Sequence, residues 1–158
     1  MNARPSLRDP AALLATWFGT GLLPRAPGTW SSLAALPFAW IIAAHGGAIA
    51  LAAATALLFV LGWWASSRTV AAAGMADPGF ITIDEAVGQW LALIAAPLDP
   101  IAYLVGFVAF RAADIAKPWP VSWADRKIHG GLGVMLDDVL AGLYALAVVL
   151  IYRYAVSR

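Results

Sequence analysis

Six carboxylates stand out by position. Asp84 and Glu85 open one apolar stretch, Asp114 closes another, Asp125 lies in the segment after it, and Asp137 and Asp138 open the last apolar run. An acid at a helix start caps free amides or complements the helix dipole, for about 0.3–1 kcal/mol. That accounts for one acid per helix and leaves the second member of each pair unexplained. A carboxylate near hydrocarbon costs on the order of 2.5–3.5 kcal/mol, less toward the interface, and several converging repel one another. They need a counter-charge, from basic side chains or from a cation. The chain has no cysteine and two histidines, so the donors are oxygens, and an oxygen-only set suits a hard divalent ion such as Mg²⁺.

The basic residues are placed to match. Arg111 lies three residues before Asp114 and Lys117 three after it, so all three can share one helical face. Such a set is an intrahelical ion pair, or a clamp that holds a phosphate beside a metal. Arg25, within Pro24-Arg25-Ala26-Pro27-Gly28-Thr29, sits in a stiff loop where it would meet a phosphate or a lipid headgroup. Thr29 is expected to cap the helix that follows. His129-Gly130-Gly131-Leu132-Gly133 reads as a glycine-rich loop offering backbone amides to an anion, with His129 a candidate proton donor. Asp9, Asp77 and Asp99 read as solvated loop or cap positions.

The elements that must position these groups follow from composition. The 158 residues are 62% hydrophobic and 12% charged, against about 45–50% and about 25% in soluble domains. So little charge cannot cover a water-soluble globule, and the expectation is an all-α, polytopic helical membrane protein. It would be a bundle of four to five short helices forming one domain over 1–158, with an interfacial N-terminal segment (1–30) and the bundle proper (31–156). A net charge of +1 excludes nucleic-acid binding through bulk positive charge. The lack of cysteine excludes disulfide scaffolds, zinc–thiolate sites and cysteine nucleophiles. The first apolar run, from Ala11, is broken by Gly19, Gly21, Pro24 and Pro27 with no small-x-small cleavage site, so it reads as mature protein.

From Ala26 to Ser67 there is no Asp, Glu, Lys or Arg. One helix of that length would run roughly 60 Å, twice a hydrocarbon core of ~30 Å. The break is expected at His45-Gly46-Gly47, between arms 31–44 and 48–66, with a kink at Pro37. The later runs, 86–97, 101–116 and 139–152, are shorter than the ~20 residues of a standard span. Leu98-Asp99-Pro100 is a turn between the first two, and the last helix is expected to start near Asp137. With five arms, Arg4, Arg8, Arg25, Arg68, Lys117, Arg126, Lys127 and all six acids fall on one side, and Arg153 and Arg158 on the other. The loaded side is then cytoplasmic. A four-span arrangement with 86–97 lying flat would split the basic residues. Trp17, Trp30, Trp63, Trp64, Trp119 and Trp123 read as an interfacial belt.

Four segments carry a resemblance. They are Gly19-Thr20-Gly21 with Pro24-Arg25-Ala26-Pro27-Gly28-Thr29; Ile83-Asp84-Glu85-Ala86-Val87-Gly88-Gln89-Trp90; Phe110-Arg111-Ala112-Ala113-Asp114-Ile115-Ala116-Lys117-Pro118-Trp119-Pro120; and 130–142, Gly130 through Asp137-Asp138 to Gly142. In this order, from about residue 12 to residue 145, the chain resembles the bacterial phosphatidylglycerophosphatase A family. Trp17, Trp30 and the pair Ala112-Ala113 depart from the family's pattern in size and leave the charged positions intact.

The resemblance implies an all-α, Mg²⁺-dependent lipid phosphatase of the bacterial inner membrane, active at the cytoplasmic face. Its partner would be a phospholipid in the bilayer, phosphatidylglycerophosphate, whose terminal phosphate it would remove. Asp84, Glu85, Asp137 and Asp138 are then the expected metal ligands, and Asp114 is a further ligand or the base that activates water. With Glu85 and Asp138, Asp114 makes up the expected catalytic set. Arg111 and Lys117, with Arg25 and His129, are the expected phosphate contacts. Two other readings fit the residues less well. A CDP-alcohol phosphotransferase needs further acids on the helix after Asp138, and none occurs. A small cation-conducting protein would spread its acids through membrane depth.

Overall fold

The computed structural model describes residues 5–75 and 78–158, so Arg4 and Asp77 lie outside the described residues. The elements are α1 (Pro10–Ala15), a 3-10 turn (Thr20–Leu22), α2 (Pro27–Ala73), α3 (Ile83–Leu93), α4 (Pro100–Ala116), α5 (Val121–Lys127) and α6 (Gly130–Val156). There is no strand among the described residues, and α2 and α6 are long and apolar enough to cross a membrane.

Helix α2 is two arms, as the charge-free run requires. Gly47 takes φ 67° and ψ −166°, a conformation open to glycine and strained for other residues. The chain reverses there. Ser32 on the first arm and Gly62 on the second both reach the start of α3, at Glu85 and Ile83 respectively. Pro37 stays within helical dihedrals. The first arm starts at Pro27, behind Ala26 in a left-handed conformation and with no side-chain cap. The expected cap at Thr29 is therefore not made, because Thr29 already lies inside the first turn.

Helix α4 begins as its sequence predicts, with Pro100 in the first turn and Asp99 accepting from the Ala102 amide at 2.8 Å. Helix α6 does not. It begins at Gly130, so the expected glycine-rich anion loop is the first turn of the helix. Its glycines serve close packing: a Cβ at Gly131 would overlap the Ser67 backbone, and one at Gly133 the Ile128 carbonyl. Asp137 and Asp138 consequently sit two turns inside the helix instead of at its start. Helix α5 forms where a loop was expected and carries Asp125.

The approach of α3 to α6 positions the site. A Cβ at Gly142 would come within 2.7 Å of the Gly88 carbonyl oxygen, and one at Gly88 within 2.6 Å of the Asp138 carbonyl oxygen. Only paired glycines allow this contact, which brings the acidic ends of both helices together. Beneath it lie the buried side chains of Ile83, Val87, Leu93, Met135 and Phe110. Trp90 donates its indole N–H to the Ala35 carbonyl at 2.9 Å, tying α3 to the first arm of α2.

The N-terminal segment docks into the bundle. Trp17 is buried, edge-on to Trp90 and Phe38, and the Thr82 amide donates to the Ala15 carbonyl at 2.8 Å. Trp17 therefore leaves the proposed belt, while Trp30, Trp63, Trp64, Trp119 and Trp123 are exposed as a belt would be. Ile41, Leu57, Ile101, Leu104 and Ile151 are also exposed, which makes an outer surface suited to lipid.

Candidate active site

The functional groups gather at the end of the bundle where α2 begins and ends, α3 and α6 begin, and α4 finishes. One carboxylate oxygen each from Glu85, Asp114 and Asp138 lies within 4.8 Å of the others. Arg111 pairs with Glu85, and with Asp114 at 3.0 Å. All the side chains in these two pairs are about seven-eighths buried. Ser32 Oγ sits 3.3 Å from Glu85 Oε2 and 2.9 Å from the Gly28 carbonyl oxygen. A Cβ at Gly28 would overlap the Glu85 carboxylate, so glycine is what lets α2 close over it.

The charges do not balance. Two carboxylates ~4.8 Å apart repel by about 3–4 kcal/mol at an effective dielectric of ~20, and three such pairs oppose the one Arg111 guanidinium. Asp138 is 3% exposed and its Oδ2 has no hydrogen-bond partner among the described residues. An oxygen donor set with an orphaned buried oxygen and surplus negative charge fits a metal ion. These three carboxylates could therefore hold one.

A second group adjoins the first. Lys117 pairs with Asp125, and with Asp137 at 2.8 Å. Burial works against the Lys117 ammonium, but the two carboxylates outweigh it and raise its pKa above the usual lysine value. It stays a cation. Asp84 contributes no oxygen to the three-carboxylate group, and its Oδ1 is buried without a partner among the described residues. Arg25 and His129 are exposed at this same end, the first just before α2 and the second just before α6.

Of the expected site residues, the structure thus brings together Glu85, Asp114, Asp138 and Arg111. It places Lys117 and Asp137 as an adjoining pair and Asp84 within electrostatic reach of Glu85, Asp114 and Asp138, while Arg25 and His129 stay exposed. Gly28 and Ser32 were not anticipated as site residues. Nor was Gln89, one turn below Glu85, fully buried and with both amide atoms unpartnered among the described residues. A polar residue inside an apolar helical run is the signal that Ser32 and Gln89 share; Gly28 has no such signal. The acids cluster at one end of the bundle instead of along its length, which argues against a conduction pathway.

An apolar-surfaced helical bundle with carboxylates able to hold a metal at one end, beside an arginine and a lysine, has the build of a membrane phosphatase. Residues 13–153 match the family model of phosphatidylglycerophosphatase A. The chain is 39% identical over 143 residues to phosphatidylglycerophosphatase A of Escherichia coli, covering 90% of this chain and 83% of that one. It is 43% identical over 150 residues to the protein of the same name from Haemophilus influenzae, covering 94% and 92%. A Bacteroides thetaiotaomicron protein named "Putative phosphatidylinositol-3-phosphatase" is 36% identical over 162 residues, 98% and 99% of the two chains. No solved structure matches. The chain belongs to the phosphatidylglycerophosphatase A family.

Proposed function

We propose that the protein hydrolyses the terminal phosphomonoester of phosphatidylglycerophosphate to phosphatidylglycerol and inorganic phosphate. It would do so with Mg²⁺, as a multi-pass protein of the bacterial inner membrane whose site faces the cytoplasm, and with 1–158 acting as one unit. The observation that carries the reading is the meeting of Glu85, Asp114 and Asp138 beside Arg111, in a chain of this family. The side on which they meet is the one where positive charge is concentrated.

Glu85, Asp138 and Asp114 would hold the ion, and Mg²⁺ suits their hard oxygen donors. A bound divalent ion supplies charge neutralisation and polarises a phosphoryl oxygen. Arg111, already oriented by Glu85 and Asp114, donates to the phosphate oxygens that gain charge as the ester bond breaks. Lys117 supplies a second cation, and Asp137 with Asp125 holds it in place. Asp114 would also act as the base for the attacking water, with Arg25 a further phosphate contact. His129, exposed just before α6, would return a proton to the leaving alcohol. Asp84, whose Oδ1 is buried without a partner among the described residues, and Asp137 would be further ligands of the ion.

The test is phosphate release by purified protein from phosphatidylglycerophosphate, phosphatidic acid and phosphatidylinositol 3-phosphate, each with Mg²⁺ and with EDTA. Release that is EDTA-sensitive and fastest from the first lipid is expected. Release from none of the three would refute the reading, and a preference for the third would reassign the headgroup.

A further inference from the structure

An apolar groove runs along the seam between α4 and α6, with a volume of about 660 Å³. Its walls include Leu104, Val108, Ala112 and Ala113 on α4 and Tyr144 and Val148 on α6. The alanines hollow it out, since larger side chains at 112 and 113 would fill the seam. Pro118, which immediately follows Lys117, lines the groove as well. Tyr144 Oη donates to the Trp119 carbonyl at 2.6 Å, fixing the segment after α4 beside the groove.

Two features point to its occupant. First, it adjoins a cation, because Pro118 in its wall directly follows Lys117. Ala113 lies one turn before Lys117, whose Nζ is 2.8 Å from Asp137, and Asp137 lies seven residues, or two turns, before Tyr144 on α6. Neither hollow has a charged residue in its wall, but the one among α2, α3 and α6, lined by Ala56, Phe59 and Leu91, adjoins only acids, with Leu136 beside Asp137 and Val139 beside Asp138. Second, its length fits. From Leu104 to Ala113 is nine residues, about 14 Å of helix, close to the depth of one leaflet of a ~30 Å core. An apolar trough of one-leaflet depth with an ammonium at its headgroup end has the shape and polarity of a phospholipid.

We infer that the α4–α6 groove seats an acyl chain of the lipid substrate, with Lys117 at the boundary between chain and headgroup, so that the terminal phosphate is delivered to Arg111. This rests on the phosphatase reading above. The groove then acts as a second binding site that selects diacyl lipid over free phosphate esters. Anchoring remote, unreacting parts of a substrate is a usual way to position its reacting group.

Two measurements test it. The first compares Val148→Trp and Ala112→Leu with the unmodified protein on long-chain phosphatidylglycerophosphate and on its water-soluble deacylated headgroup. Filling the groove is expected to lower kcat/KM on the long-chain lipid roughly ten-fold, chiefly through KM, and to leave the deacylated compound unaffected. Ala56→Phe, which fills the other hollow, should change neither. Equal losses on both substrates, or no loss on the lipid, would overturn the proposal. The second needs no turnover: phosphatidylglycerol carrying a photoreactive acyl chain is crosslinked to the unmodified protein in vesicles. Adducts concentrated on α4 and α6 at the groove are expected, and adducts spread evenly over all lipid-facing helices would overturn it. Focused adducts without phosphate release would sink the phosphatase reading alone, whereas release with diffuse adducts would sink the groove alone.

Discussion

Gly28→Ala adds one methyl group and no charge, yet it should remove most of the activity. The new Cβ would overlap Glu85 Oε1, lie 2.7 Å from its carboxyl carbon and come within 3.4 Å of Arg111 Nη1. Overpacking of this kind costs about 1–3 kcal/mol. Against it, alanine is favoured over glycine in a helix by roughly 0.5–1 kcal/mol, so the net destabilisation should be about 0–2.5 kcal/mol. The protein stays folded, and the strain is relieved where movement is easiest, by turning the Glu85 carboxylate off Arg111 and Ser32. Displacement of a reacting group by ~1 Å costs about 100-fold in rate. The expected result is therefore kcat down about 100-fold, a higher half-saturating Mg²⁺ concentration, and a thermal midpoint in detergent lowered by no more than about 10 °C. Glu85→Asp in the same background withdraws the carboxylate by one methylene and should restore part of the rate. Wild-type activity in Gly28→Ala, or no rescue by the shorter acid, would refute the placement of Glu85.

Three further outcomes follow from the same geometry. Asp138→Asn should raise the half-saturating Mg²⁺ concentration roughly ten-fold or more, whereas Asp137→Asn, which loosens Lys117, should mainly raise KM; Mg²⁺ titrations of the two variants separate these roles. Asp114→Asn should abolish most phosphate release even at saturating Mg²⁺, and its activity in a micelle assay measures this directly. Gly142→Ala forces α6 away from the Gly88 carbonyl and should destabilise the fold by about 1–3 kcal/mol, seen as a lower thermal midpoint.

Much of the bundle could be read from its scarcity of charge. The unbroken apolar run from Ala26 to Ser67 had to fold back, and Gly47 is where it does. Arg111 with Asp114 was accessible too, because three residues on a helix are neighbours. What escaped depends on contacts between distant segments. Gly130 to Gly133 reads as a loop, since each glycine disfavours helix by about 1 kcal/mol; only the nearness of Ser67 and Ile128 shows why glycine is needed in a helix there. Arg111 reaching Glu85 spans 26 positions and has no local signature. The two acidic pairs offered a clue that composition alone does not exploit. Neighbours on a helix point about 100° apart, so Glu85 and Asp138 supply oxygens to the three-carboxylate group while Asp84 and Asp137 flank it, Asp137 turned to Lys117.

The turn between α3 and α4 bears on how the protein sits in lipid. Helix α3 has 11 residues, about 16 Å of rise. At its far end Arg153 reaches the Ala95 carbonyl at 3.4 Å and Tyr152 lies 3.5 Å from Asp99, so this turn is polar. From Asp138 to Arg153 on α6 is 15 residues, about 22 Å. With the cluster at one headgroup level, these polar groups fall some 8 Å short of the opposite one in a ~30 Å core. The first arm of α2, residues 27–46, is about 30 Å long and does match. In the proposed multi-pass topology one flank of the molecule is thus thinner than a ~30 Å core, a mismatch that bilayer thinning or snorkelling side chains would meet at a cost of fractions of a kcal/mol per Å. The hydrophobic thickness of the host membrane thereby becomes a variable in the protein's stability.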